Sequence, residues 1–310
     1  MLDRITGMQV FARLVSAGSL SGAARAMGMS ATMATKHINA LEEQLGVKLV
    51  HRTTRKVTLT EAGRDYLESV ERILAEVAEA EAIAASGRVE AKGVLRVSVP
   101  VSFGVLEIAP LLPLFAQRYP ELRVDLGVSD RKVDLIDEGW DVAVRIGQNP
   151  DQTMIARRLA PCHTIVAAAP AYLVQNGTPQ TVADLAAHNC LVYTLASEAG
   201  SGQWFFGANQ HIAVPVRGNL QASNGDVLVA AALEGQGVIC EPTFLVGDHI
   251  RAGRLVGVHL DHPPAEVSGV YATYPASRRV PAKVRVFVDY LVEQIGSPPR
   301  WDRGLALSGP

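Results

Sequence analysis

Three glycines, Gly18, Gly28 and Gly46, each close a stretch of helical periodicity, and a serine follows the first two at once or two residues later. Ile5, Met8, Phe11, Leu14 and Val15 fall on one face of a helix over residues 3–17. Gly18 stops that helix, and Ser19 is placed to cap a second, Leu20 to Met27, whose Ala23-Ala24 pair lets a neighbour approach closely. Gly28 breaks the second helix. Ser30 caps a third, Ala31 to about Leu45, with Ile38, Leu41 and Leu45 facing inward. Two helices joined by a tight glycine turn, behind a supporting first helix, form a helix-turn-helix. Two short β-prone runs, Val47–Val50 and Val57–Leu59, then flank the basic tip His51–Lys56, the pattern of a hairpin wing.

Thr60 is placed to cap a long helix running to about Ser86, with Gly87 at its end. Its apolar residues Tyr66, Val70, Ile73, Val77, Ala80 and Ala84 alternate in steps of four and three. That heptad seam predicts a helix–helix dimer interface. Charge follows the same division. Residues 1–60 carry eight Lys/Arg against three Asp/Glu, net +5, residues 61–92 four against eight, net −4, and the remainder 17 against 20, net −3. A basic head on an acidic body suits a protein that brings only its head to phosphates.

From Gly93 the period changes. Strand-like runs at residues 95–99, 122–128, 141–146, 164–168, 237–240 and 270–274 alternate with helical runs at 108–118, 133–138, 226–233, 244–252 and 282–295. This predicts an α/β domain with a mostly parallel sheet, in two lobes around a ligand cleft. The expected division is 1–60 head, 61–90 linker helix, 91–300 effector domain (lobes 91–160 with 268–300, and 161–267) and a loose Pro/Gly/Ser-rich tail, 301–310.

The head's residues carry a family resemblance. Phe11-x5-Ala17-Gly18-Ser19-Leu20-Ser21-x-Ala23-Ala24, Met27-Gly28-Met29-Ser30, Lys36-x-Ile38-x-x-Leu41-Glu42-x-x-Leu45-Gly46-x-x-Leu49 and Arg52-Thr53-Thr54-Arg55-x-Val57-x-Leu59-Thr60-x-x-Gly63 resemble the LysR-type transcriptional regulators closely. Asp141-Val142-Ala143-Val144-Arg145-Ile146-Gly147 looks like the first effector lobe of one subgroup. The resemblance implies an N-terminal winged helix-turn-helix, a linker helix and a periplasmic-binding-protein-like α/β domain. It departs at Ala31, Met33, Ala34 and Thr35, where the family usually has Gln or Pro, Ala, Val or Leu, and Ser, and at Val50, usually Phe. Most departures lie on the recognition helix, so they touch the operator sequence rather than the fold.

A recognition helix needs short polar or basic groups in its first turns to reach base edges in the major groove. Ser30, Thr32, Thr35, Lys36, His37 and Asn39 are the candidates there, and Arg52, Thr53, Arg55 and Lys56 in the wing suit backbone contacts. In the effector domain Ser102 and Phe103, after the first strand, then Ser129, Arg145, Ile146, Thr194 and Asn224, at other strand ends or helix starts, are the expected ligand contacts. Backbone amides beside Ser102 suggest an organic anion. The expected partners are double-stranded DNA with an interrupted palindrome, the effector, a second copy of the chain as dimer or tetramer, and RNA polymerase.

Other classes fit less well. A composition of 48% hydrophobic and 19% charged residues excludes wholesale disorder. No apolar run is long enough for a membrane span and the N-terminus lacks a signal-peptide pattern, which favours a cytoplasmic regulator over a secreted solute-binding protein. Gly-x-Ser-x-Gly and Walker patterns are absent, so no enzyme, cofactor or catalytic residue is expected. His259-x-x-His262 reads as a loop before Pro263-Pro264 rather than a metal site, and Cys162, Cys190 and Cys240 as buried free thiols.

Overall fold

The computed structural model describes residues 2–52, 57–86, 91–131, 133–147, 153–195, 202–207, 212–265, 267–276 and 280–307. The chain divides into two compact units, residues 1–90 and 91–310.

The first unit holds α1 (Arg4–Ala17), α2 (Leu20–Ala26), α3 (Ala31–Leu45), the hairpin β1 (Val50–Arg52) with β2 (Val57–Leu59), and α4 (Glu61–Ser86). The helix signals act as the sequence predicts. Ser19 Oγ accepts from the Gly22 amide at 3.1 Å and Ser30 Oγ from the Met33 amide at 3.2 Å. Gly18 and Gly46 close α1 and α3 in the left-handed region, at φ 65° and 69°. Val10, Phe11, Leu14, Ala23, Ala24, Ala34, Ile38, Leu41 and Leu49 form the core.

Glu42 fastens the wing to α3. Its carboxylate is buried and accepts from the backbone amides of Leu49 (3.0 Å) and Val50 (3.3 Å) and from Lys48 Nζ (2.7 Å). Burial pushes its pKa up, but the Lys48 ammonium and the two amides outweigh that and hold the carboxyl below its ordinary range. Thr60 Oγ1 donates to Lys48 O at 2.7 Å and accepts from the Gly63 amide at 2.9 Å. A Cβ on Gly63 would lie 2.0 Å from Leu49 O, so the start of α4 packs too tightly on the wing for any side chain there.

The expected dimer seam needs correction at its start. Val70 is fully buried in the head's own core, and the Tyr66 ring lies 5.8 Å from that of Phe11. The first turns of α4 pack on α1, so these two positions are spent within the chain. Ile73 is exposed and Val77 half-buried, and the side chains of Ala80 and Ala84 lie outside the described residues. Among the described residues no helix is long and apolar enough to cross a membrane.

The second unit is built on two main sheets. The first runs in the order β4 (Leu122–Val128), β3 (Gly93–Val99), β5 (Val142–Ile146), β14 (Val267–Pro275), β6 (Met154–Cys162). β3 is parallel to both β4 and β5, while β14 is antiparallel to β5 and β6. The second runs β12 (Val238–Pro242), β7 (Thr164–Ala168), β13 (Val256–Val258), and both its pairings are antiparallel. The expectation of a mostly parallel sheet thus holds for β4-β3-β5, and parallel pairing recurs only in the short ladder of Val192–Tyr193 with Gln221–Ala222 among the described strands. The long strands β6 and β14 carry the chain out of the first sheet after Cys162 and back at Val267, and such traverses run antiparallel.

Around the sheets lie α5 (Val101–Phe103), which runs through a π-turn (Gly104–Ile108) and a 3-10 turn into α6 (Leu112–Arg118), then α7 (Pro170–Asn176), α8 (Gly225–Leu233), α9 (Thr243–Arg251) and α10 (Ala282–Ile295). Residues 133–138, expected as a short helix, contain turns instead, with Val133 and Leu135 buried under the first sheet beside Ala143.

The start of the tail, Trp301 and Asp302, is not loose. Trp301 is 3% exposed and meets Phe103 edge-on at 5.5 Å. Asp302 accepts from Thr243 Oγ1 at 2.6 Å and pairs with His163 Nδ1 at 3.0 Å. Arg300 grips the buried Glu107 through Nε at 2.8 Å and a terminal nitrogen at 3.0 Å. Composition suggested a disordered end, but one large apolar side chain and two polar locks anchor it. The three cysteines are free, and burial pushes the Cys162 and Cys190 thiols up to about 12.

Candidate nucleic-acid interface and effector site

On α3 the inward positions are Ala34, His37, Ile38 and Leu41. That spacing leaves Thr32, Thr35, Lys36 and Asn39 on the outer face. Ser30, Thr32, Lys36 and Asn39 are exposed. Thr35 is half-buried and its hydroxyl donates to Ala31 O at 2.8 Å, which leaves its methyl and an oxygen lone pair for a partner. His37 is corrected: it is 6% exposed and belongs to the packed face, four residues before Leu41 on the same stripe. It is a core residue and not part of the candidate DNA surface. Arg52 ends β1, and Thr53, Arg55 and Lys56 lie outside the described residues.

In the second unit the candidates separate into three groups. Phe103 is fully buried, edge-on to Phe244 (5.2 Å) and Trp301. Ile146 packs on the main core. Phe103 is structural, a correction to its expected role, while Ile146 stays half-buried at the edge of that core. Arg145 is half-buried and donates to Val144 O at 2.9 Å and to Ser98 Oγ at 3.5 Å, without joining the groups around Ser102. Burial pulls its guanidinium pKa down. Ser129 closes a turn, its Oγ accepting from the Arg131 amide at 3.3 Å. Thr194 follows β8 (Val192–Tyr193), its amide donating to Ala222 O at 2.9 Å.

Ser102 and Asn224 do come together, 122 residues apart. Ser102 follows β3 and Asn224 caps α8, so the pair links the end of a strand of the first sheet to the start of a helix that packs on β12 of the second. Ser102 Oγ donates to Asp226 Oδ2 at 2.7 Å. Asn224 Nδ2 donates to Ser102 Oγ and to Asp130 Oδ2, both at 3.3 Å. The Val101 amide donates to Asp130 Oδ1 at 2.9 Å. Glu241, on β12, is 3% exposed, and a Cβ on Gly225 would lie 3.0 Å from its Oε2. Burial first, and the neighbouring Asp226 charge second, push its carboxyl up to about 8. Burial, with the Asp130 and Glu241 carboxylates nearby, pushes the Tyr193 phenol up to about 12.

Asp130, Asp226, Glu241 and Tyr193 escaped sequence reasoning. A signal existed for Glu241, an acid in the apolar run Val238-Ile239-Cys240. Asp130 and Asp226 adjoin the candidates Ser129 and Asn224 but read as ordinary turn and helix-start acids.

Residues 5–64 match the family described as bacterial regulatory helix-turn-helix protein, lysR family, and residues 88–296 the LysR substrate binding domain. The chain belongs to the LysR family of transcriptional regulators. The HTH-type transcriptional regulator CrgA of Neisseria meningitidis is 35% identical over 291 residues, covering 94% of this chain and 96% of that protein. DmlR of Escherichia coli, also an HTH-type transcriptional regulator, is 34% identical over 293 residues, 94% of each. A solved structure of CrgA, a LysR-type regulator, superposes with a TM-score of 0.58 at 33% identity, covering 94% of this chain and 98% of the other. The full-length Vibrio cholerae virulence activator AphB gives 0.57 at 27% identity, covering 93% and 98%.

Proposed function

We propose that this regulator reads DNA sequence through the outer face of α3 and answers to a small molecule held at the Ser102–Asn224 junction. The observation that carries the first half is the split of α3 into a packed face and an outer face of Thr32, Thr35, Lys36 and Asn39. Lysine offers three donors to guanine or phosphate, and threonine a methyl for thymine. Arg52, Arg55 and Lys56 of the wing add backbone contacts. One such helix reads too few base pairs for a useful operator, so two heads act together. The exposed Ile73 and the later α4 seam join the two copies, and further pairing gives tetramers.

The second half rests on the hydrogen bonds between lobes. A molecule seated there favours one lobe arrangement over another, and only such differential affinity shifts a population. Selection from a random duplex pool by the full chain tests the reading. The wild type is expected to enrich an interrupted inverted repeat, and Thr32→Ala/Lys36→Ala to lose it with unchanged thermal stability. Enrichment of no sequence by the wild type would refute it.

A further inference from the structure

We propose that the ligand of this junction is a cation, a small aliphatic amine, held between Asp130, Asp226 and Glu241. The inference rests on the preceding reading of the junction as the effector site, and it reverses the sequence-based expectation of an organic anion.

The donor inventory carries the case. Ser102 has one O–H, given to Asp226. Asn224 has two N–H groups, given to Ser102 and Asp130. The Val101 amide is given to Asp130. What remains toward a ligand is chiefly acceptor, the lone pairs of Asp130 and Asp226, with the Tyr193 hydroxyl and the Glu241 carboxyl, which keeps its proton up to about pH 8, as the uncommitted side-chain donors among these groups. An anion would meet Asp130 and Asp226, to which the side-chain donors of Ser102 and Asn224 and the Val101 amide are already given. An ammonium group is the reverse, three donors and no acceptor.

Charge agrees. Among the described residues, Asp130, Asp226 and Glu241 make no ion pair with Lys, Arg or His. Arg145 is occupied at Ser98 and Val144.

Glu241 is the second, independent observation. It is 3% exposed, lies against Gly225 between Asn224 and Asp226, and its carboxyl makes no hydrogen bond among the described residues. A carboxyl in so buried a setting gains from a bonding partner. The lack of a side chain at Gly225 is what lets the carboxyl reach the start of α8. A bare metal ion fits less well, because no three acidic, His or Cys side chains of the described residues converge on one point. An amine spreads its donors over separated acceptors and does not need that convergence.

The test is calorimetric titration of the full chain with putrescine, and with succinate, a dicarboxylate of the same chain length. Putrescine is expected to bind and succinate not to bind. Asp226→Asn, on an exposed position, and Asp130→Asn, which keeps the oxygen that accepts from Val101, are each expected to weaken putrescine at least about tenfold. Binding of succinate that is lost in Ser102→Ala would overturn the cationic class and leave the junction as the effector site. Putrescine binding that survives both Asn variants would place the amine elsewhere and overturn the inference. Binding of neither probe overturns it too, while ligand control of DNA binding is judged separately by the selection experiment repeated with cell extract.

Discussion

Replacing Glu241 with Gln removes a titratable proton but keeps shape, and the structure sets what that does. The native carboxyl holds its proton up to about pH 8, against an ordinary value of 4.5. Between those limits the folded chain binds a proton that the unfolded chain has released. Stability therefore falls as pH rises through this window, by about 1.4 kcal/mol per pH unit at its steepest. From about pH 5 to about pH 8 the loss amounts to about 3 kcal/mol. The titratable groups that interact with Glu241 are Asp226 on α8, Tyr193 on β8 and the neighbouring Cys240 on β12, while β7 carries no titratable side chain. On α9, Asp248 and Arg251 pair with each other. Gln cannot titrate, so the difference between wild type and Glu241→Gln isolates this one proton. Urea unfolding followed by tryptophan fluorescence is the assay, because Trp140, Trp204 and Trp301 all lie in the second unit and report it alone. The variant is expected to gain roughly 3 kcal/mol on the wild type at about pH 8 relative to about pH 5. Parallel profiles, within about half a kcal/mol, would refute the reasoning and show Glu241 ionised in the native protein.

Other consequences follow from the packing. Trp301→Ala, which empties a site edged by Phe103, should cost about 3 to 5 kcal/mol in chemical unfolding, where a loose tail would cost nothing. Glu42 contributes stability above the ordinary carboxylate range that is lost as pH falls through its lowered value. Acid should therefore loosen the wing before the helices, seen as early amide exchange at Leu49 and Val50, and Glu42→Ala should abolish the difference. Val70→Ala should destabilise the head by about 2 kcal/mol, whereas Ile73→Asp should leave the head's melting unchanged and weaken self-association in ultracentrifugation. Lys36→Ala should lower the salt dependence of DNA binding by about one unit of slope if it meets a phosphate, or relax one base position if it meets guanine.

The head was legible because its signals are local. Each cap and stop lies within a few residues of what it controls, and the family's Glu42, Thr60 and Gly63 turn out to fix the wing to α3 and α4. α10 was equally plain, bounded by Pro281 and Gly296. The misreadings share one cause, the use of a residue by something distant in sequence. Tyr66 and Val70 fit a seam between chains by spacing alone, yet the same stripe serves α1. His37 looked polar and available, but it lies on the stripe that Ala34 and Leu41 bury. Arg300, Trp301 and Asp302 sit in a loop-like composition and are claimed by Glu107, Phe103 and Thr243. At the junction, sequence found Ser102 and Asn224 by their places at element ends but took the site for an anion cradle. Only the fold sets Asp226 and Asp130 on the donors those residues carry.

Hydroxyl-radical footprinting of the full chain on its selected duplex tests most directly that this protein reads DNA as paired helix-turn-helix heads. Two equivalent protections on one face of the duplex, centred one helical turn of about 34 Å or a multiple apart and both lost in Thr32→Ala/Lys36→Ala, are the expected result. A single protection, or a continuous one that the variant leaves intact, would contradict the account.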